Sequence, residues 1–197
     1  MSVSVSADDC FQERPLTAAE AGAVGFMPLA APRRPLIESH DFRNAMAAHA
    51  ATVTVVTAAE GEDRAGRTAT AVFSLSATPP SILVSIDSDS LLAGIMRRRG
   101  SFSLAMLERS QWTIANAFAG RTMPEHRFKV GQWETWASGN PKLQGPVVAM
   151  DCDVIGIIET AGHLLFAGGI VAVETVTGRT PLVWHDRGYA APAGREK

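Results

Sequence analysis

Two clusters of hydroxyl side chains carry the clearest chemistry in this sequence. Residues 66–76 are rich in small and hydroxyl residues and place Thr68 and Thr70 two positions apart. Residues 87–90 read Asp-Ser-Asp-Ser and precede an apolar stretch typical of a short helix. Side chains two apart on a strand share a face, and the backbone N–H groups at a helix start attract anions. The pattern therefore fits an anion cradle on a sheet, or hydroxyls that only cap and pair.

Other kinds of site lack their sequence signatures. The five histidines, at positions 40, 49, 126, 163 and 185, have no metal-ligand spacing, and no paired-cysteine pattern occurs. The Gly-x-Ser-x-Gly motif of hydrolases is absent, as are the glycine-rich Rossmann and Walker patterns. We therefore expect no metal site, nucleophile elbow or P-loop.

Composition predicts one globular domain that works without nucleic acid or membrane. The 197 residues are 46% hydrophobic and 19% charged, and their net charge of -2 does not suit a general nucleic-acid binder. The longest apolar run, 164–173, is too short to span a bilayer. Cys10 and Cys152 lie far apart in sequence; a bridge between them is possible, but two free thiols in a reducing cytosol are favoured. We expect a cytoplasmic protein.

The chain divides into an extension and a domain. Residues 1–36 contain four prolines and no sustained periodicity, so we expect a segment that is flexible or draped over the domain. Residues 37–197 form the domain, with Ser39 as the expected N-cap of the first helix. Strands are predicted at 52–57, 68–75, 81–86, 102–107, 147–159, 163–176 and 182–189, helices at 91–99 and 110–118, and a loop at 120–146. Short helices among mostly antiparallel strands indicate a mainly β fold and a compact barrel.

The order of short motifs between about residues 40 and 190 resembles the flavin reductase family, the small reductase components of two-component monooxygenases. Each motif alone is weak, but seven in the same order are specific. They are Phe42-Arg43-Asn44-Ala45-Met46; Val53–Ala58; Gly66-x-Thr68-Ala69-Thr70-Ala71 with Ser74-x-Ser76 and Pro79-Pro80; Phe102-Ser103-Leu104; Arg127-Phe128; Gly162-His163 with Gly169; and Pro181-Leu182-Val183 leading to Arg187-x-Tyr189. The stretch 123–128 is similar to the subgroup that contains pyrimidine-utilisation flavin reductase and cobyrinate-diamide reductase.

This resemblance implies a homodimeric, FMN-binding split β-barrel with a Greek-key topology. It implies that the flavin (FMN, with FAD possible) contacts Thr68, Ala69, Thr70, Ala71, Asp87, Ser88, Ser90, Arg127 and Phe128. It further implies that His163 faces the nicotinamide of NADH or NADPH and is the catalytic residue. The implied partners are a second copy of the chain and a flavin-dependent monooxygenase that receives diffusible reduced flavin.

The sequence departs from the family pattern around these residues. The acid that often precedes the family histidine is missing, because Ala161 and Gly162 precede His163. Asp87 and Asp89 flank the expected phosphate cluster, where carboxylates repel phosphate unless they point away.

We expect the chain to catalyse hydride transfer from NADH or NADPH to FMN, or FAD, and to supply the reduced flavin to a monooxygenase. The cofactors carry such chemistry themselves, which explains why no acid–base pair stands out. Two alternatives stay open: a flavoprotein that reduces a cobalt corrinoid, and a non-enzymatic split barrel that binds flavin or haem.

Overall fold

The computed structural model describes residues 24–27 and 29–193, and strands dominate this part of the chain. The strands are β1 (Val24–Phe26), β2 (Ala51–Thr52), β3 (Thr54–Glu60), β4 (Asp63–Ala69), β5 (Val72–Ala77), β6 (Pro80–Asp87), β7 (Ser101–Met106), β8 (Trp133–Thr135), β9 (Pro141–Leu143), β10 (Val148–Thr160), β11 (His163–Thr175), β12 (Val183–His185) and β13 (Gly188–Ala190). The α-helices are Ser39–Ala47, Leu91–Arg99 and Trp112–Asn116, and a π-helical turn, Ala117–Arg121, extends the last of them. The predicted mainly β class with short helices is confirmed.

The largest sheet curves so that its two edges approach each other. Its strand order is β4-β3-β7-β10-β11-β6-β5, with β1 added in parallel to β10. The edge strands β4 and β5 are separated in sequence only by Thr70 and Ala71. Three steps between Cα atoms span at most about 11 Å, so Ala69 on one edge and Val72 on the other must be close. No backbone ladder joins β4 to β5, so the edges meet at this corner without closing the sheet.

The expected continuous strand over 68–75 is wrong at this corner. The Thr54 hydroxyl donates to the carbonyl of Ala69 at 2.6 Å, which keeps that end of β4 beside β3. Two residues later the carbonyl of Ala71 accepts from the N–H of Ser85 at 3.1 Å, on β6. The backbone therefore exchanges one partner strand for another at Thr70, and the strand must break there.

Two apolar cores pack on opposite faces of β3 and β7. Val56 and Leu104 face a core that includes one side of the Leu91–Arg99 helix. Their neighbours Val55 and Ala105 face a second core, built around Phe118. Because both faces of these central strands are covered, β3 is buried almost throughout rather than at alternate positions.

Helix boundaries follow local sequence signals in one case and depart from them in another. Ser90 caps the Leu91–Arg99 helix by accepting from the N–H of Ala93, and Gly100 ends it with a φ of 66°. These features confirm the predicted start and stop. The first helix begins one residue earlier than expected, because Glu38 rather than Ser39 is its N-cap, and none of its residues is buried.

The remaining segments are more structured than the sequence suggests. The predicted strand 182–189 is a hairpin that turns at Asp186 and Arg187, both with positive φ. The predicted loop 120–146 contains a 3-10 helix, Pro124–Lys129, and the β8–β9 pair. Among the described residues, no helix has the length and apolar character needed to cross a membrane.

Candidate functional site

Two clefts meet at the corner between β4 and β5. The larger has a volume of ≈ 420 Å³ and the smaller ≈ 330 Å³. Thr70 lines both of them, and no other residue does. The side chain of Thr70 is exposed, so the junction of the two clefts is open to a ligand.

The larger cleft is lined by hydroxyl and apolar side chains. Thr52, Ser74 and Ser76 supply hydroxyls, while Phe73 and Met150 are among the apolar residues. No lysine, arginine, aspartate or glutamate lines it. A flat, largely apolar ring with hydrogen-bonding edges suits such a lining.

The smaller cleft has a different chemistry, because two arginines line it and no acidic residue does. Arg67 lies on β4 and Arg121 ends the π-helical turn. In the same cleft, the hydroxyl of Tyr189 donates to Oδ1 of Asn116 at 3.0 Å. Burial raises the pKa of Tyr189, and the positive charge of Arg121 opposes that rise. The cleft is therefore suited to an anion.

The sequence reasoning missed these residues for identifiable reasons. Arg67 stands between the quoted Gly66 and Thr68, and Tyr189 ends the last quoted motif. Arg121 lies 54 positions after Arg67 in the sequence, and only the fold brings the two arginines to one cleft. Each residue is of a type that can bind an anion, but the spacing of the three in the sequence does not indicate that they share a cleft.

The four residues expected along the flavin chain lie together at the corner. Thr68, Ala69 and Thr70 line the smaller cleft, and Ala71 follows directly. The hydroxyl of Thr68 donates its proton to the carbonyl of Ala115 at 2.7 Å. Its oxygen can still accept a hydrogen bond from a ligand. The exposed Thr70 hydroxyl can both donate and accept.

The polar groups of residues 87–90, the expected phosphate cluster, form hydrogen bonds with one another and with the start of the Leu91–Arg99 helix. The Ser90 hydroxyl donates to the carbonyl of Asp87 at 2.7 Å and accepts from the N–H of Ala93 at 3.2 Å. The Asp87 carboxylate accepts from the N–H of Asp89 at 3.0 Å, and Ser88 lies 3.5 Å from the Asp89 carboxylate. None of the four lines either cleft.

His163 lies next to this cluster rather than in a cleft. It is exposed and pairs directly opposite Asp87 across β6 and β11. The N–H of Ser88 donates to the carbonyl of Gly162 at 3.2 Å, which ties the two turns together. Since Asp87 is two residues beyond Ser85 on β6, the pair lies roughly 7 Å along the strand from the row that contains Ala71.

Arg127 and Phe128 contact protein groups around the second core. Arg127 donates to the carbonyls of Thr122 and Gly66, at 3.2 and 3.3 Å. The Phe128 ring packs edge-on against Phe118 at 5.1 Å, and the Arg64 guanidinium lies 4.8 Å from its centre. Neither residue lines a cleft. Arg127 and Phe128 thus contact Gly66 and Arg64, and these contacts stabilise β4 near the corner.

Comparison with known proteins gives one consistent result. The family model described as "Flavin reductase like domain" matches residues 46–193. The protein named FMN reductase (NADH) RutF from Ancylobacter novellus is 38% identical over 164 residues, which cover 83% of this chain and 91% of that protein. Its namesake from Escherichia coli is 31% identical over 156 residues, covering 79% and 95%.

Solved structures agree with the sequence matches. The flavin reductase component BorF of a bacterial two-component tryptophan halogenase superposes with a TM-score of 0.73 at 27% identity, covering 80% of this chain and 100% of that one. The styrene monooxygenase flavin reductase of Pseudomonas putida has a TM-score of 0.71 at 27% identity, covering 79% and 99%. With a family model that spans three quarters of its length, this chain belongs to the flavin reductase like domain family.

Proposed function

We propose that this protein is an NADH-dependent FMN reductase that passes reduced flavin to a partner monooxygenase. The relatives that cover most of the chain carry the name FMN reductase (NADH). Two structural neighbours are the flavin reductase component of a two-component tryptophan halogenase and the flavin reductase of a styrene monooxygenase. The observation that carries the proposal is the junction at Thr70, where a cleft lined mainly by hydroxyl and apolar side chains, suited to a flat ring, adjoins a cleft suited to an anion.

The residues present fit a flavin at this junction. The larger cleft offers hydroxyls and apolar surface to the ring, and Thr68 and Thr70 offer oxygens to the polyhydroxyl chain. The backbone at Ala69 and Ala71 lets that chain approach closely, because neither side chain extends beyond Cβ. The implied contacts at Asp87, Ser88, Ser90, Arg127 and Phe128 have weaker support, since each already contacts other protein groups.

The reaction requires positioning rather than acid–base catalysis. When bound, the flavin accepts a hydride from NADH and a proton from solvent, which leaves NAD⁺ and reduced flavin. The protein must hold two flat rings in contact and exclude other geometries. His163 is the proposed residue on the nicotinamide side, because it is exposed at the start of β11, roughly 7 Å along the strand from the row that contains Ala71.

A second copy of the chain is part of the proposal. Phe73 and Leu75 on β5 are 56% and 47% exposed, and Val171 and Val173 on β11 are 57% and 59% exposed. Phe73 lines the larger cleft, and Val173 pairs opposite Met150, which also lines it, so exposed apolar side chains from both strands border that cleft. We propose that they form a homodimer interface, which light scattering after size exclusion tests directly. A monomer at micromolar concentration would contradict it.

The monooxygenase partner is tested by following the reduced flavin. The protein is mixed anaerobically with NADH and excess FMN and then removed by ultrafiltration. We expect reduced FMN in the filtrate, because a reductase component must release its product. Reduced flavin that stays with the protein, together with reduction of an added cobalt corrinoid, would instead support the corrinoid reductase.

A further inference from the structure

The short strand β1 completes the sheet beside β10. β11 occupies one side of β10 from end to end, whereas β7 occupies the other side only over residues 148–153. Beyond β7, that second side pairs in parallel with β1 through residues 157–159. The family model matches residues 46–193, so β1 lies in a segment outside that match. Without β1, the last part of β10 would be an unpaired edge of the sheet.

The part of β10 that pairs with β1 leads directly to His163. A bulge separates this part from the rest of the strand, because the pairing with β11 skips Ile155. Beyond the bulge lie residues 156–167, which we call the outer hairpin, and Thr160 pairs with His163 at its tip. We propose that β1 is a positioning strand, which holds the outer hairpin in place and thereby positions His163. The role of His163 toward the nicotinamide rests on the proposed function, whereas the docking of β1 does not.

The outer hairpin is held from both sides. On the β11 side, β6 pairs with residues 163–169, and the N–H of Ser88 donates to the carbonyl of Gly162 at 3.2 Å. On the β10 side, β1 is the one strand of the described chain that forms a ladder beyond the bulge. A bulge bends its strand and disrupts the ladder locally. Loss of β1 would therefore leave the outer hairpin held on one side, with a point at Ile155 about which it can move.

The attachment of β1 is short enough for a single substitution to release it. The strand has three residues, and the N–H of Met27 extends its ladder by donating to the carbonyl of Glu159 at 3.0 Å. Parallel pairing is slightly less stable per residue than antiparallel pairing. Residues 29–38, which connect β1 to the first helix, are all exposed. We therefore expect β1 to leave the sheet far more often than the whole domain unfolds.

Two substitutions with opposite effects test the docking. Met27→Pro removes the N–H that donates to Glu159, and proline keeps the residue before it extended. Gly25→Ala should strengthen the docking, because Gly25 has no positive φ and an added Cβ would lie 3.5 Å from the carbonyl oxygen of Ile157, an ordinary contact. Alanine also lowers the conformational entropy of the undocked segment. Ala30→Pro is the matched control, since it adds a proline to the same exposed segment at a position whose N–H makes no hydrogen bond within the described chain.

Hydrogen exchange of residues 157–160, followed by mass spectrometry, measures the docking itself. We expect exchange about fivefold faster in Met27→Pro, the scale of one hydrogen bond. In Gly25→Ala we expect exchange about two- to fivefold slower, and in Ala30→Pro exchange equal to that of the wild type. Equal exchange in all four proteins would overturn the docking of β1.

Steady-state kinetics test whether the docking acts through His163. We expect Met27→Pro to raise the KM of NADH about two- to fivefold and to leave the KM of FMN within twofold. The double variant Met27→Pro/His163→Ala should have the KM of His163→Ala alone, because a strand that acts through the imidazole adds nothing once the imidazole is gone. A further rise in the double variant, or an unchanged KM in Met27→Pro despite faster exchange, would overturn the positioning role.

The NMR signal of the His163 ring separates this proposal from the proposed function. The Cε1–H signal is assigned by its absence from the spectrum of His163→Ala. We expect it to shift or broaden in Met27→Pro and to stay unchanged in Ala30→Pro. A shift in a protein that fails to oxidise NADH would uphold the positioning strand and overturn only the reductase function. An unchanged signal in Met27→Pro, in a protein that still reduces FMN, would overturn the positioning strand alone.

Discussion

Asp87 lies directly opposite His163 in the antiparallel pair of β6 and β11. Residues directly opposite each other have Cβ atoms about 4.5–5.5 Å apart, so the Asp87 and His163 side chains start from neighbouring positions on β6 and β11. An acidic residue 76 positions earlier in the chain therefore stands opposite His163, where the sequence has no acid immediately before the histidine.

Replacing His163 should affect the nicotinamide more than the flavin. We expect His163→Ala to raise the KM of NADH about fivefold, the scale of one hydrogen bond, and to leave the KM of FMN within twofold. Steady-state kinetics with each substrate varied in turn measure both. Asp87→Asn keeps the shape of the opposite side chain and removes its charge, so it shows whether the carboxylate contributes. Equal rises in both KM values for His163→Ala would mean that the residue only supports the fold.

Arg127 has one observed role and one proposed role, and a single substitution can separate them. The resemblance implies contact with the flavin, and we expect Arg127→Ala to weaken FMN binding by about 1.5–3 kcal/mol. The structure shows that Arg127 also joins the carbonyls of Gly66 and Thr122, so the melting temperature should fall as well. A lower melting temperature with an unchanged Kd for FMN would remove Arg127 from the binding site and leave it as a brace for β4.

Gly66 is required by close packing inside the second core. A Cβ atom there would lie 2.5 Å from the Phe118 ring and 2.9 Å from Thr57 Cγ2, and both neighbours are buried. We expect Gly66→Ala to lower the free energy of unfolding by about 1–3 kcal/mol through overpacking. Urea denaturation measures the loss. Gly156→Ala, whose Cβ would sit 3.8 Å from Ala167, is the matched control, and equal losses in the two variants would refute the packing argument.

Cys152 should be chemically inert in the folded protein. Burial raises the pKa of the Cys152 thiol to about 12, and Asp151 and Asp153 add to the rise. Because the pKa in the folded state lies above that of the unfolded chain, the thiol favours folding below the unfolded pKa, and this contribution is lost as the pH rises toward 12. In a Cys10→Ser variant at pH 8, roughly half a unit below the pKa of a free thiol, we expect no reaction with a thiol reagent until urea is added. Rapid labelling of the native variant would contradict this.

Local features of the fold follow from sequence, and long-range ones do not. Ser90 and Gly100 bound their helix because capping depends on neighbours within four residues. The break at Thr70 was not predictable, because it depends on Thr54 and Ser85, which hydrogen-bond the backbone on either side from different strands.

The candidate site divides in the same way. Thr68 and Thr70 were identified from their types and spacing, and the structure places both at one cleft. Arg67 and Arg121 were not identified, because a single arginine in a sequence carries no sign of a ligand. They become a candidate site only because the curvature of the sheet and the position of the π-helical turn place both arginines at the same cleft.

The measurement that tests the central claim most directly is an anaerobic assay of NADH oxidation with FMN as acceptor. Purified protein is added to NADH and excess FMN, and the nicotinamide and flavin absorbance bands are followed together. The proposed reductase predicts a loss of one reduced nicotinamide for each FMN reduced, at a rate proportional to the protein concentration. Absence of oxidation of NADH, and of NADPH in a parallel assay, would contradict it.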